Sequence, residues 1–350
     1  MKLNTLKSAL VLAGLAVGAH ASAAGPIGYG AATTGGGSKT AVNVATLAEA
    51  QAKIDAYKSG GLVLNYTGKF NYSSISDVCA QWKKTAQTLE IKNKSDITIR
   101  GTGDSSANFG IRIVGNAHNV IVQNMTIGLL QGGESADSIS IEGNSTGKPS
   151  NIWIDHNTIF ASLTQCSGAG DASFDGGIDM KKGANHITVS YNHVYNYQKV
   201  ALNGYSDSDT ANADSLTTYH HNRFENVKSR LPLLRRGKAH IYNNYFGNVH
   251  TSGINSRMGA TTLIESNYFE NVVNPVTSRD SSAIGYWELR NNYVGTGITW
   301  TAAEGTYVNA TDWKTTKSYG SVGYSYSPDA AANVKSKVFA TAGARTNLAQ

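Results

Sequence analysis

Proline and cysteine are scarce in this chain: five and two among 350 residues. With so little proline there is no proline-rich linker, and one domain is expected over residues 25–350. The two cysteines form no C-x-x-C pair and sit in no clustered Cys/His spacing, which removes the case for zinc. Beyond the N-terminus no run approaches the roughly 18 apolar residues needed to cross a bilayer, so a membrane-spanning protein is excluded. A lysine-rich arm, a recognition-helix motif and an aromatic RNP pattern are also missing, which argues against nucleic acid. Convincing helical stripes are few, and nothing calls for an oligomer, so a monomer is expected.

The N-terminus is informative. Lys2 and Lys7 precede an apolar run from Ala9 to Val17, followed by Ala21-Ser22-Ala23-Ala24, the order of a secretory signal peptide over residues 1–24. The mature protein is therefore expected to be secreted and extracellular. An exported chain with only Cys79 and Cys166 ordinarily pairs them; two buried thiols are the alternative. The chain carries 30 basic against 24 acidic residues, and loss of Lys2 and Lys7 leaves it mildly basic, compatible with an anionic polymer.

Short apolar phrases recur with asparagine just after them. They are Val120-Ile-Val-Gln-Asn124, Ile152-Trp-Ile-Asp-His-Asn157, Ile187-Thr-Val-Ser-Tyr-Asn192, Thr218-Tyr-His-His-Asn222, Ile241-Tyr-Asn-Asn244, Leu263-Ile-Glu-Ser-Asn267 and Leu289-Arg-Asn-Asn292. Their asparagines lie roughly 22 to 35 residues apart, a solenoid period. One such phrase cannot bury its own apolar side, so coils should stack at about 4.8 Å, with the asparagines forming a ladder. The expected fold is all-β, a right-handed parallel β-helix with extended functional loops. Thr46 to Tyr57 has helical spacing and should cap the open first coil; Trp300 to Gln350 loses the repeat and should pack along the side or the far end.

Excursions between repeats are where a rigid stack can converge chemistry. Gly132 to Asp137 and Asp171 to Asp179 bring carboxylates in successive coils; Lys199 follows in the next, then Lys228-Ser-Arg-Leu-Pro-Leu-Leu-Arg235. Asp175 and Asp179 would stand roughly 13 Å apart in an extended strand, and Gly176-Gly177 permits a turn that shortens this. Stacking would bring Asp137 alongside, giving hard oxygen ligands of the kind calcium takes; solvated loop aspartates are the alternative. Guanidinium groups grip planar carboxylates at two points, so the arginines point to an acidic substrate.

Trp153-Ile-Asp-His156, Asp175 through Lys182, Lys199-Val-Ala-Leu-Asn-Gly204 and Arg230-Leu-Pro-Leu-Leu-Arg235 resemble signature segments of the pectate lyases of polysaccharide lyase family 1. Ser106 to Gly110 and Asn274 to Arg279 extend the likeness, which runs in order from about Val44 to the C-terminus. The resemblance implies a calcium-dependent lyase that cleaves polygalacturonate by β-elimination. Arg230 matches the family's catalytic arginine, Lys199 and Arg235 match residues that hold the substrate carboxylate, and Asp137, Asp175 and Asp179 match ligands of Ca2+. Cys79 and Cys166 match a family disulfide. Where some relatives carry a further aspartate, two places before the position of Asp137, this chain has Ser135, with Glu134 beside it. It also lacks the cysteines for a C-terminal disulfide found in some relatives. A pectin lyase acting on methyl-esterified polymer would need less positive charge and no calcium, which the aspartate cluster and Lys199 oppose; a non-catalytic polysaccharide-binding β-helix would keep the ladder but has no need for Arg230, Lys199 and three aspartates together.

Other residues invite a functional role and are better given a structural one. His156 beside Asp155, and the pair His220-His221, fit hydrogen bonding within the coils. Trp153, Tyr191, Tyr242, Tyr245 and Tyr268 recur with the repeat and fit stacking.

Overall fold

Alternation places every second side chain of a strand on the same face. A chain of short strands joined by tight corners can turn all of those apolar faces inward. In the computed structural model, which describes residues 25–132 and 136–348, it does so in successive coils. The expected signal peptide, Glu134 and Ser135 lie outside the described residues. Three parallel sheets of ten, eight and nine strands, here sheets A, B and C, form the walls of a parallel β-helix. One coil runs from Ser150–Asp155 in A through Thr158–Phe160 in B to Asp175–Lys181 in C. Among the described residues, one pair of strands runs antiparallel, at the far end of sheet C, between Val276–Ser278 and Val308–Asn309.

Because pairing is in register, like residues stack in columns. In sheet A, Ile99, Val122, Ile154, Val189 and Tyr219 follow one another, all buried. In sheet B, Phe224, Phe246 and Phe269 stack with ring centroids 5.5 and 4.8 Å apart. Open ends would expose this column to water. The helix Leu47–Ala56 closes the first, burying Ala50 and Ile54; Thr46 accepts from the Glu49 N–H, and the Glu49 carboxylate accepts from the Ala45 N–H at 2.7 Å. At the other end Trp287 is covered by residues near Lys314, whose carbonyl accepts its indole N–H at 3.0 Å. The helix Ala331–Thr341 lies along the side, with Val334 and Val338 against Tyr245. Among the described residues, no helix is long and apolar enough to cross a membrane.

The asparagine ladder is present, with one correction. Amide Nδ2 of Asn157 donates to Oδ1 of Asn192 at 3.0 Å, and the pattern repeats through Asn222, Asn244, Asn267 and Asn292. Each Oδ1 also accepts the backbone N–H of the preceding rung, so the carbonyl oxygen serves two donors. Asn124 is not a rung. It takes the left-handed corner position at φ 59°, in line with His156, Tyr191 and His221, while Met125 fills the ladder column. Asparagine suits both places, since its short polar side chain tolerates the left-handed region.

The corner rows explain the residues set aside above. His156 lies just past its strand, bonded to Asp155 at 2.7 Å and stacked on Tyr191 at 4.7 Å, which stacks in turn on His221. Tyr268 stacks on Tyr293 at 4.4 Å, and the Trp153 indole donates to Ser190 at 2.8 Å. Cys79 and Cys166 are joined in a disulfide spanning 87 residues of sequence.

Two outcomes test this packing. Asn222 is fully buried, and Asn222→Ala removes the acceptor of the Asn192 backbone N–H and the side-chain donor to the Val189 carbonyl, so equilibrium denaturation should show a loss of at least about 2 kcal/mol. Burial also lowers the pKa of His193 to about 4, and those of His220, His221 and His240 below the ordinary 6.5. As pH falls below 6.5 the unfolded chain takes up protons that the folded chain refuses. The histidines' contribution to stability should therefore be full above that value and decline toward pH 4, opposed in part by the proton that Asp179, raised to about 7, takes up in the folded state. Urea midpoints measured from pH 7.5 to 5 should fall, and less steeply in His220→Gln.

Candidate active site

Sheet C carries the charged residues, because its coils are interrupted where the chain approaches that sheet. Asp137 ends the segment before Ile139–Glu142, Asp175 opens Asp175–Lys181, Lys199 opens Lys199–Asn203, and Arg230 precedes Leu233–Arg235. The expected turn at Gly176-Gly177 is a bulge: Asp175 faces Lys199, but Ile178 faces Ala201, so one extra residue is accommodated. Gly176 sits there at φ 96°, and a Cβ on it would lie 1.9 Å from Asp137 Oδ1. Only glycine permits this backbone together with this approach.

Asp137, Asp175, Asp179, Arg230 and Arg235 line one cleft of 730 Å³, and Lys199 reaches into the same cluster through Asp175. Lys199 Nζ is 2.8 Å from Asp175 Oδ2, and Arg230 Nη1 donates to Asp175 Oδ1 at 3.1 Å. Lys181 bridges the other two carboxylates, 2.7 Å from Asp137 and 3.0 Å from Asp179. The three carboxylates are thus neutralised by side-chain cations, and among the described residues no trio of His, Cys, Asp or Glu is drawn together as a metal cluster. Arg235 is held from behind: its Nε donates to Asp207 at 2.7 Å and its Nη1 to the Gly204 carbonyl at 3.0 Å.

The electrostatics are those of crowded, buried charge. Burial, reinforced by Asp137, pushes the Asp179 carboxyl up to about 7, and burial also raises Asp137. Asp179 Oδ1 is buried with no hydrogen-bond partner, an orphaned acceptor in a site of hard oxygen donors. For Lys181, burial works against the charge, but Asp179 and Asp137 outweigh it and hold the ammonium above its ordinary value. Burial likewise opposes ionisation of Asp207, yet the Ser282 N–H and the Arg235 guanidinium keep that carboxyl well below the usual range.

Lys181 and Asp207 were not singled out in the sequence. Lys181 follows Asp179 at the strand spacing that puts two side chains on one face, a signal that was available. Asp207 lies in an irregular loop and reaches Arg235 only through folding.

A family profile described as pectate lyase matches residues 2–347. This chain belongs to the pectate lyase family. It is similar to pectate lyase 3 of Pectobacterium carotovorum subsp. carotovorum, 45% identical over 303 residues, covering 82% of this chain and 79% of that one. Among solved structures it resembles pectate lyase II of Xanthomonas campestris pv. campestris, with a TM-score of 0.91 and 72% identity over 93% of this chain and all of that one. Pectate lyase C of Erwinia chrysanthemi, solved with 30 mM Ca2+ at pH 9.5, superimposes with a TM-score of 0.85 and 39% identity over 94% of this chain and 98% of that one. A pectate lyase C mutant, 38% identical over 94% of this chain and 98% of that one with a TM-score of 0.85, was solved in complex with pentagalacturonic acid. Pectate lyases are polysaccharide lyases, so the chain is an enzyme of that class.

The close approach of Gly176 to Asp137 gives a direct test. Gly176→Ala should retain a wild-type far-ultraviolet spectrum while turnover of polygalacturonate falls about 100-fold, the scale of a misplacement of about 1 Å.

Proposed function

We propose that the protein is a secreted, calcium-dependent pectate lyase that cleaves de-esterified α-1,4-polygalacturonate by β-elimination, leaving an unsaturated sugar end. It would act extracellularly as one β-helix domain over residues 25–350 after removal of residues 1–24. The observation that carries this reading is the convergence of Asp137, Asp175, Asp179, Arg230 and Arg235 in one cleft of a chain of this family. The calcium and pentagalacturonic acid of the pectate lyase C structures support the choice of cation and polymer.

Asp137, Asp175 and Asp179 would hold Ca2+. Their hard carboxylate oxygens fit it, and the orphaned Asp179 Oδ1 is an acceptor still wanting a cation. When bound, the ion supplies positive charge beside the substrate carboxylate. The chain's own residues do the rest. A proton on carbon beside a carboxylate is very weakly acidic, so the charge that spreads onto that carboxylate must be stabilised; Lys199 and Arg235 are the donors for it. Arg230 takes the proton from C5. The electron pair left behind forms the C4–C5 double bond as the bond from C4 to the glycosidic oxygen breaks; that oxygen departs with the bonding pair and takes a proton from solvent. A guanidine keeps its proton in ordinary water, so such a base works best toward alkaline pH.

Mature protein on polygalacturonate should release product absorbing in the ultraviolet, with an alkaline optimum. A chelator should abolish the signal and added calcium restore it. Arg230→Ala should lower turnover by about 10²–10⁴-fold. A rate that stays flat down to acidic pH would remove Arg230 as the base. Chelator-resistant turnover of methyl-esterified pectin would make the protein a pectin lyase, and a folded protein inactive on both polymers would be a binding protein.

A further inference from the structure

Tyr205 stands apart from the other tyrosines. Tyr191 and Tyr268 stack on rings of adjacent coils, whereas Tyr205 is 49% exposed and lines the same cleft as Arg230 and Asp179. A large aromatic left open to water in a charged cleft is not contributing to the core.

Its placement is fixed by the loop that carries it. The Gly204 carbonyl accepts from Arg235, the Asp207 carbonyl from Arg236 Nη2 at 2.9 Å, and the Asp209 carbonyl from Arg236 Nε at 3.0 Å. The Asp207 carboxylate accepts from Arg235 Nε and, at 2.7 Å, from the Ser282 N–H. Gly204, at φ 92°, approaches Arg235 so closely that a Cβ would meet its backbone oxygen at 3.0 Å. The ring is therefore presented on a pinned loop, with its ordering already met in the free protein.

A cation accompanies it. Lys182 Nζ lies 5.6 Å from the centre of the Tyr205 ring and 2.5 Å from Glu142 Oε1. Arg112, which pairs chiefly with Glu90 at 2.7 Å, reaches Glu142 only at 3.5 Å, so Lys182 is the cation nearest to the ring on this wall of the cleft. A uronate ring has an apolar face of C–H bonds and a carboxylate at its edge. An aromatic face suits the first and an ammonium group beside it suits the second.

We propose that Tyr205 and Lys182 form a sugar-binding subsite for an acidic pyranose unit of the polymer, the tyrosine stacking on the sugar face and the lysine pairing with its carboxylate. This rests on the polygalacturonate lyase reading above, but concerns binding away from the reacting bond. Tyr205 would act as a positioning residue that helps to hold the chain while Arg230 acts.

The test is a calorimetric titration of hexagalacturonate into Arg230→Ala protein, which does not consume it, beside the same protein carrying Tyr205→Ala or Tyr205→Phe. Tyr205→Ala should weaken binding about tenfold, and Tyr205→Phe, which keeps the ring, should restore most of it. In the Arg230 enzyme, Tyr205→Ala should raise KM by a similar factor with kcat nearly constant. Unchanged affinity in Tyr205→Ala, or a fall confined to kcat, overturns the subsite. A protein that turns over no polymer, yet binds hexagalacturonate in a Tyr205-dependent way, sinks the lyase reading and leaves the subsite standing.

Discussion

In-register parallel pairing between coils is the constraint on which this molecule depends. A single strand of two to seven residues has no partner within its own coil, so its N–H and C=O groups are satisfied only by the coils above and below. Register then decides everything that stacks: apolar columns inside, an amide ladder at one corner, ring stacks outside. The ladder shows how tight the condition is. Each Asn Oδ1 serves two donors from its neighbour, so no rung can be displaced without orphaning groups in a dry interior.

The same constraint makes a crowded charge cluster tolerable. Carboxylates on successive coils cannot move apart, because backbone pairing holds them about 4.8 Å from their neighbours. Repulsion is met instead by interleaved cations, Lys181 between Asp137 and Asp179, and Lys199 with Arg230 on Asp175. Removing one partner would leave its opposite number buried and uncompensated, which costs more than the pair is worth intact. In the proposed reaction a polyanion and a divalent cation would meet a site whose opposing charges are already ordered, with little reorganisation left for binding.

Much of this was legible in the sequence, for a physical reason. Repetition of Ile-x-Ile phrases before asparagine encodes both the strand and its stacking partner, so the β-helix and five of its ladder steps could be read directly. Asp175, Asp179, Lys199, Arg230 and Arg235 could be placed near one another because stacking converts a repeat of sequence into adjacency in space. What stayed hidden depended on details of conformation. Asn124 was misplaced by one residue because the corner and the ladder accept the same side chain. The pairing of Lys181 with two carboxylates, and of Asp207 with Arg235, required rotamers and a loop path that composition does not carry. The Gly-rich segment Gly28 to Gly36, which packs on Thr98, Thr188 and Thr218 outside sheet A, gave no periodic signal at all.

The corner between sheets A and B is two residues long in every coil from Asn124-Met125 to Asn291-Asn292, one left-handed and one a column member. The other corners range from two residues, at Arg236-Gly237, to segments such as 161–174 and 204–215. The stack therefore behaves like a book bound along one edge. Insertions at the bound edge would break the ladder, whereas the free edges accept added length without touching the spine. Change in such a protein is channelled to the side that carries the charged cleft, so new preferences can accumulate there while the coils beneath stay intact.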